Sequence, residues 1–313
     1  MKTPLCSIVM PAFNVEPYIR EAIQSVFAQS LSDWELIVID DGSSDGTVAA
    51  VREFTDRRIR LLQQANAGVG AARNHGIARS RGRMICFLDA DDRLRPQAIN
   101  SLSRTLKRAP QACVAYGESV VMDATGQSFG TARGPIFAQR PSGQVLWDIL
   151  QSNFVTTVGA ACICASALTR VGNFRTDMVL GEDWDLWCRL ATVGEFIYVG
   201  KEPIVEYRLR PDSAMRTLGT DMEESLRSVD AVFSRLEIRR HFTENELGYL
   251  RRKREAAVYA TAGTEHLKIR RWVQARKLFF ESLRRDLTRP REVILLALSF
   301  LWWMPPIVAR HLK

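Results

Sequence analysis

The segment Ile85-Cys86-Phe87-Leu88-Asp89-Ala90-Asp91-Asp92 joins a short apolar run directly to three carboxylates. The run over residues 84–88 is continuous rather than alternating, which is typical of a strand buried on both faces of a parallel sheet. On an extended chain, side chains two residues apart share a side, so we expect Asp89 and Asp91 on one side of the strand end and Asp92 on the other. Neighbouring carboxylates are stabilised by a cation, and their hard oxygens suit Mg²⁺ or Mn²⁺. A polar turn that only closes a strand has the same composition, so the surrounding segments decide between the two interpretations.

Strand-like and helix-like segments alternate through the first half of the chain. The predicted strands are residues 6–10, 34–39, 59–62, 84–88 and 113–116. The predicted helices are residues 17–29, 47–54, 70–79 and 96–107. Short connections between alternating strands and helices predict an α/β fold with a mostly parallel sheet flanked by helices.

Polar clusters follow three of these strands. They are Pro11-Ala12-Phe13-Asn14, Asp40-Asp41-Gly42 and Asp89-Ala90-Asp91. Open α/β sheets bind ligands beyond the carboxyl ends of their strands, at the point where the strand order reverses. We therefore expect the three clusters to converge on one binding crevice.

Composition favours a globular protein with an anionic partner. The chain has 313 residues, a net charge of +8 and a pI of about 9.4. Its six cysteines form no C-x-x-C pair, which predicts small buried residues in a reducing compartment rather than a disulfide or zinc framework. The N-terminus has no signal-peptide h-region, so we expect a cytoplasmic protein. A P-loop motif is absent, and Arg73 stands where a dinucleotide fingerprint starting at Gly68 would need its third glycine.

Four motifs in order resemble the family 2 glycosyltransferases of GT-A fold, which is Rossmann-like. They are Ser7-Ile8-Val9-Met10-Pro11-Ala12-Phe13-Asn14-Val15-Glu16, Val38-Ile39-Asp40-Asp41-Gly42-Ser43, Asn66-Ala67-Gly68-Val69-Gly70-Ala71-Ala72-Arg73-Asn74 and Asp89-Ala90-Asp91. The resemblance covers roughly the first 210 residues. It implies a nucleotide-sugar donor, usually a UDP-sugar, a divalent metal, Mg²⁺ or Mn²⁺, and inversion at the anomeric carbon.

The resemblance also implies roles for single residues. It assigns nucleotide contacts to Pro11, Ala12, Phe13, Asn14, Glu16, Asp41, Asn66, Arg73, Asp89 and Ala90. In the family, the residue matched by Asp41 accepts a hydrogen bond from uracil, and the residue matched by Asp91 binds the metal; Asp40 is the alternative to Asp41. Asparagine is also a common turn residue. A guanidinium such as that of Arg73 binds a diphosphate well through charge-assisted hydrogen bonds, although a solvated helix charge is the alternative.

A second acidic site begins at Gly181. In Glu182-Asp183-Trp184-Asp185, helical spacing of the following apolar residues places the acids at a helix N-terminus, which the helix dipole alone favours. The resemblance implies that Asp183 is the catalytic base, with Glu182 beside it. Downstream, Arg208 and Arg210 are candidates for phosphate contact, but the family often has histidine where Arg210 stands.

The end of the chain has a different character. Amphipathic, basic helices are followed by residues 293–309, which contain no charged side chain. A helix of that length reaches roughly 25 Å, short of the bilayer core of ~30 Å, and Pro305-Pro306 shortens it further. Basic flanks and Trp302-Trp303 are typical of a segment in the membrane interface. A buried helix or a homodimer contact is the equally favoured alternative.

These features predict a GT-A domain over residues 1–215, a helical extension over 216–290 and an apolar, membrane-associated tail over 291–313. The predicted activity is metal-dependent transfer from a nucleotide sugar to a hydroxyl of a glycan or lipid-linked acceptor, in surface-polysaccharide assembly at the cytoplasmic face of the membrane. The alternatives are a metal-dependent nucleotidyltransferase, which would release pyrophosphate, and a non-catalytic nucleotide-sugar-binding protein. Nucleic-acid binding has only the positive charge in its favour.

Overall fold

The computed structural model describes residues 3–131, 140–210 and 221–299. Its strands are β1 Cys6–Ala12, β2 Trp34–Asp40, β3 Ile59–Gln63, β4 Met84–Phe87, β5 Arg93–Leu94, β6 Ala112–Met122, β7 Ser128–Thr131, β8 Ala161–Cys164 and β9 Glu195–Arg208. Its helices are α1 Glu16–Phe27, α2 Thr47–Arg52, α3 Val69–Arg79, α4 Ala98–Arg108, α5 Leu146–Gln151, α6 Ala165–Val171, α7 Glu182–Ala191, α8 Met222–Phe233, α9 Leu236–Arg239, α10 Glu244–Lys268, α11 Trp272–Arg285 and α12 Pro290–Leu298. The predicted elements are present, and all but β6 have only small shifts of their ends.

Strand β1 lies at the centre of the parallel half of the sheet. It pairs in parallel with β2 on one side and with β4 on the other, and β3 continues beyond β2. Every residue of β1 and β2 is buried, which explains their continuous apolar sequences. The chain runs from β1 to β2 and β3 and then returns to β4 on the other side of β1. The strand order therefore reverses between β1 and β4, where sheets of this type bind ligands.

The other half of the sheet is mixed. Strand β8 lies antiparallel between β4 and β6, while β6 and β9 are parallel. Strands β5 and β7 add antiparallel edges to β9 and β6. The predicted α/β class is thus correct, and parallel pairing dominates the first four strands rather than the whole sheet.

Strand β6 is the element that differs most from its prediction. It has 11 residues, whereas the apolar pattern predicts only residues 113–116. The polar residues that follow Tyr116 hide the second part of the strand, because they break the apolar run. That part pairs with β9 through several register shifts, so it depends on a partner far along the sequence.

The chain turns immediately after β4. The strand ends at Phe87, and the backbone N–H of Asp92 donates to the carbonyl oxygen of Asp89 at 3.0 Å. The extended geometry from which we expected Asp89 and Asp91 on one side therefore does not continue through Asp92. The rule that alternate residues share a side does not hold in this turn, and each of the three carboxylates meets a different partner.

The loop before β4 is held tightly against the start of β1. The backbone N–H of Gly82 donates to Ser7 Oγ at 2.8 Å, and that hydroxyl donates to the buried Glu35 at 2.7 Å. Arg81 forms an ion pair with the same Glu35 at 2.7 Å. A Cβ atom at Gly82 would lie 2.4 Å from the backbone nitrogen of Ser7. Only glycine therefore fits this approach without moving the backbone.

The chain divides into two compact units. The first comprises Met1–Ile149, Asn153–Met178 and Glu182–Arg210, and the second comprises Leu150–Ser152, Val179–Gly181 and Pro211–Lys313. The boundaries at residues 215 and 290 stay predictions. Of the predicted tail, residues 300–313 lie outside the described residues, and α12 covers the part before them.

The second unit is helical. Helix α10 begins with a capping box, in which the Thr243 side chain accepts from the Glu246 N–H and the Glu246 carboxylate accepts from the Thr243 N–H. Helix α11 packs on α10, and a small core of Leu267, Ala275, Phe279 and Leu295 joins α10, α11 and α12. Among the helices described, none has both the length and the apolar character needed to cross a membrane.

We expect Gly82→Ala to lower the free energy of unfolding by about 1–3 kcal/mol, because the new methyl group forces the loop away from β1. Gly130→Ala is the matched control, since no atom lies within 4 Å of a Cβ placed there. Urea unfolding followed by circular dichroism measures both. Equal midpoints for Gly82→Ala and the wild type would contradict the tight approach.

Candidate active site

Two loops at the carboxyl ends of β1 and β2 are bonded to each other. Asn14 adopts a left-handed backbone with φ of 50°, and its Oδ1 accepts from the N–H of Ser44 at 2.8 Å. Glu16 accepts from the N–H of Gly46 at 2.9 Å. A Cβ atom on Gly46 would lie 2.3 Å from the Glu16 carboxylate. Asn14 and Glu16, which the sequence assigns to nucleotide contact, therefore hold the β1 and β2 loops together through hydrogen bonds to the backbone.

The end of β1 presents an apolar surface beside this brace. Pro11 and Ala12 are buried within the strand, whereas the ring of Phe13 is 48% exposed. An exposed aromatic ring at the end of a buried strand offers a flat face for stacking. Of Pro11, Ala12 and Phe13, Phe13 is thus the residue with an accessible side chain.

Asp41 shapes the loop that begins α3. Its buried carboxylate accepts from Gln64 Nε2 at 2.8 Å and from the N–H groups of Ala67 and Gly68 at 2.9 Å each. Neighbouring Asp40 is also buried and accepts from the Ser43 N–H and from Gln63 Nε2, each at 3.2 Å. Three donors leave Asp41 roughly one further acceptor position.

Asn66 lies in the same loop with an exposed side chain. The loop passes close to the end of β2, because a Cβ atom on Gly42 would lie 3.0 Å from the Asn66 nitrogen. The carboxylate of Asp41 therefore places Asn66 and the start of α3 at the same edge of the sheet as Phe13.

Arg73 joins the two acidic parts of the site. Its guanidinium pairs with Asp89 at 2.9 Å and with Glu182 at 2.7 Å, and its carbon lies 5.2 Å from the centre of the Phe174 ring. The residue is 4% exposed. Burial lowers the pKa of Arg73, but the charges of Asp89 and Glu182 outweigh that effect and raise it. The interpretation of Arg73 as a solvated helix charge was therefore wrong.

Arg208 fixes the acidic turn after β4. Its backbone N–H donates to Asp92 at 2.8 Å, its Nε donates to the Asp91 carbonyl at 2.7 Å, and its Nη2 pairs with Glu21 at 2.7 Å. The guanidinium stacks over Tyr18, with its carbon 5.0 Å from the ring centre. Arg208 is 2% exposed, so its donors hold the turn and face away from solvent.

Arg210 lies at the carboxylate that the sequence assigns to a metal. Its Nε is 2.8 Å from Asp91 Oδ2, and its guanidinium carbon lies 5.4 Å from the centre of the same Tyr18 ring. The two side chains are 16% and 18% exposed. Arg210 thus supplies a positive charge beside Asp91 within the protein itself.

Burial and mutual repulsion both act on the carboxylates of the acidic turn. Burial and the neighbouring Asp89 raise the pKa of Asp91, although Arg210 opposes the shift. Burial and the charges of Asp91 and Asp89 raise the pKa of Asp92 well above its usual value. Among the described residues, Asp92 Oδ2 is buried without a hydrogen-bond partner. Asp91 is the partly exposed carboxylate of the turn, and its hard oxygen suits a divalent cation.

Asp183 lies in the first turn of α7. Its Oδ1 accepts from the Trp184 N–H at 2.6 Å, and Asn153 Nδ2 lies 3.4 Å from its Oδ2. The sequence does not identify Asn153 as a site residue, because single asparagines are common in loops. Glu182 is paired with Arg73, so the two neighbouring acids have separate environments.

Helix α7 is fastened to its surroundings by buried polar groups. Asp185 and Arg189 form a fully buried ion pair at 2.9 Å, and Arg189 also donates to the carbonyl oxygens of Val171 and Asn173. The Trp184 indole donates to the carbonyl of Ile149 at 2.7 Å. These bonds keep the acidic N-terminus of α7 in one position, which a site for proton transfer requires.

The family model for glycosyl transferase family 2 matches residues 7–172, more than half of the chain. The chain belongs to glycosyl transferase family 2. The matched range includes Phe13, Asp41, Arg73 and Asp91. The predicted family is thereby confirmed.

Chondroitin synthase of Escherichia coli is 28% identical over 250 residues, which are 77% of this chain and 34% of that protein. With three curated relatives, the match spans 26%, 34% and 31% of the relative's own length. The matched segments therefore cover only about a quarter to a third of those proteins.

Two solved structures share the fold. Staphylococcus aureus TarS, in complex with UDP-GlcNAc, has a TM-score of 0.64 at 14% identity over 94% of this chain and 90% of that one. A mannosyltransferase from Pyrobaculum calidifontis, in complex with GDP-Man and Mn²⁺, has a TM-score of 0.59 at 18% identity over 96% and 88%. These likenesses confirm the predicted GT-A fold.

Proposed function

We propose that the protein is an inverting glycosyltransferase that moves a sugar from a nucleotide sugar to an acceptor hydroxyl. The observation that carries this proposal is the buried Arg73 bridge, because it connects the acidic turn after β4 with the acidic start of α7. The carboxylates of the turn can then hold a metal ion for the diphosphate, while a carboxylate of α7 removes a proton.

The donor is a UDP-sugar in this proposal, as in the TarS complex with UDP-GlcNAc. The base stacks on the exposed ring of Phe13, beside Pro11 and Ala12. The remaining acceptor capacity of Asp41 receives the uracil N–H, and Asn66 and Ala90 line the same edge. Asp40, Asn14 and Glu16 contribute by holding the loops.

Asp91 holds Mg²⁺ or Mn²⁺ in this proposal, and the Pyrobaculum mannosyltransferase with Mn²⁺ supports the choice of ion. The ion would neutralise the diphosphate as it leaves. Asp89, held by Arg73, faces the ribose. Arg210 leaves Asp91 when the donor binds and pairs with a phosphate oxygen, whereas Arg208 keeps the turn in place.

Asp183 is the general base. It takes the proton of the acceptor hydroxyl while that oxygen bonds to the anomeric carbon and the bond from that carbon to the diphosphate oxygen breaks. Attack from the side opposite the leaving group inverts the anomeric centre. Asn153 orients the carboxylate, and Glu182 stays bound to Arg73.

The acceptor is a glycan or a lipid-linked sugar used in surface-polysaccharide assembly, and the similarity to chondroitin synthase supports a polysaccharide product. We place the enzyme on the cytoplasmic face of the membrane, with residues 291–313 in contact with it; a homodimer through this segment is the alternative. Release of pyrophosphate in place of nucleoside diphosphate would indicate a nucleotidyltransferase.

Arg210→Gln should strengthen binding of Mn²⁺ to the nucleotide-free protein roughly fivefold or more, because an ion pair of about 1 kcal/mol no longer competes for Asp91. Titration followed by electron paramagnetic resonance measures the affinity. Arg95→Gln is the charge-matched control, since Arg95 pairs with Glu206. Adding Asp91→Asn should remove the gain, and equal Mn²⁺ affinities of wild type and Arg210→Gln would contradict the competition.

Asp183→Asn should lower turnover by roughly 100-fold or more while donor binding changes little, as expected for loss of a general base. A panel of nucleotide sugars is screened for release of nucleoside diphosphate, and calorimetry with UDP measures binding. Asp177→Asn is the control, because it makes the same change at an exposed carboxylate that pairs with its near neighbour Arg175. If Asp183→Asn turns over the donor as fast as the wild type, another residue is the base. If the wild type turns over none of the donors in the panel, a non-catalytic binding protein is favoured.

A further inference from the structure

Positive charge is concentrated at the end of the chain. Residues 269–313 contain ten Lys and Arg against three Asp and Glu, so they carry +7 of the net charge of +8. The first 268 residues are therefore almost neutral. A large anionic surface is attracted mainly to the C-terminal segment.

In this segment the exposed charged side chains are basic, whereas the acidic side chains are buried or half-buried. In its described part, every exposed charged side chain is basic: Arg270, Arg271, Lys277, Arg284 and Arg291. The three acids are buried or half-buried, and each has basic partners. Asp286 pairs with Lys253 at 2.7 Å, Glu281 pairs with Arg285 at 2.5 Å, and Glu292 pairs with Arg289 at 3.5 Å. The fully exposed charges of this part are thus all positive, and the half-buried Glu281 also lies 3.8 Å from Arg284.

Large apolar side chains lie between these cations. The exposed ones in this segment are Ile269, Val273, Phe280, Leu287, Val293 and Ile294, with exposures of 50% to 84%. Single exposed apolar residues are ordinary, but six within 26 residues are a concentration that marks an interaction surface.

Helix α11 shows how the two kinds of residue are arranged. Val273, Lys277, Phe280 and Arg284 are spaced four, three and four residues apart, so they form one exposed face. The opposite face is fixed on α10, because Ser282 Oγ donates to the Ala256 carbonyl at 2.8 Å. Ala275, Leu278 and Phe279 are buried on that side. The outer face therefore cannot turn inward.

We propose that the outer face of α11, defined by Val273, Lys277, Phe280 and Arg284, binds an anionic lipid bilayer. Its two apolar side chains insert at the level of the headgroups, and its two cations pair with lipid phosphates. A second copy of the chain fits poorly, because a two-fold contact would bring like charges together. The inference extends the membrane location given in the proposed function, but it adds a contact that does not depend on residues 300–313.

The test is sedimentation of the full-length protein with vesicles of phosphatidylcholine, with or without phosphatidylglycerol. We expect binding that needs phosphatidylglycerol and weakens with salt. Lys277→Gln with Arg284→Gln should weaken binding about 25-fold at low salt, because each basic residue near an anionic leaflet contributes about 1 kcal/mol. Val273→Ser with Phe280→Ser should weaken it more than about tenfold at any salt concentration, because the apolar insertion is lost.

The control variants remove the same groups elsewhere in the second unit. They are Arg240→Gln with Arg252→Gln, and Leu236→Ser, all at exposed positions. Wild-type binding by Val273→Ser with Phe280→Ser would overturn the proposal, as would equal binding to vesicles of phosphatidylcholine alone. A wild-type dimer that this variant converts to monomer would assign the face to a second copy instead. Donor turnover should be the same in every variant as in the wild type. If the wild type turns over no donor but still binds the vesicles, the proposed activity is overturned and the membrane contact is not.

Discussion

The buried guanidinium of Arg73 is the interaction on which the site depends. It holds Asp89 and Glu182, which are 93 residues apart in sequence, within hydrogen-bond distance of one cation. Removing the cation would leave two partly buried carboxylates, with side chains 29% and 14% exposed, close together without a counter-charge. Arg73 therefore joins the acidic turn after β4 to the start of α7, and its contact with the Phe174 ring adds the segment between α6 and α7 to the same assembly.

A second set of polar contacts positions the turn itself. Arg208 lies at the end of β9 and binds both Asp92 and the Asp91 carbonyl, so the last strand of the sheet determines the shape of a loop that follows the fourth. The arrangement leaves Asp91 partly exposed beside Arg210. Arg208 is fully buried and Arg210 is partly exposed, although they are only two residues apart.

The sequence predicted the α/β fold, the family and the meeting of three strand ends, because apolar runs and the polar residues that end them are local signals. It failed after Phe87, since the turn there depends on Arg208, more than 100 residues away. Asn14 could be interpreted as a turn residue or as a ligand, and its bond to Ser44 became visible only in the folded chain. The partners of Asp183 and Asp41 were hidden for the same reason, because loop asparagines and glycines have no periodic pattern.

The bonds between the β1 and β2 loops have a consequence for evolution and engineering. Asn14 and Glu16 bind backbone groups of Ser44 and Gly46, so the two loops form one mechanical part even though about 30 residues separate them. A loop taken alone from another member of the family would lose its partner and shift the surface near Phe13. Exchange of donor preference between relatives should therefore require grafting both loops together, and substitutions in one are expected to be compensated in the other.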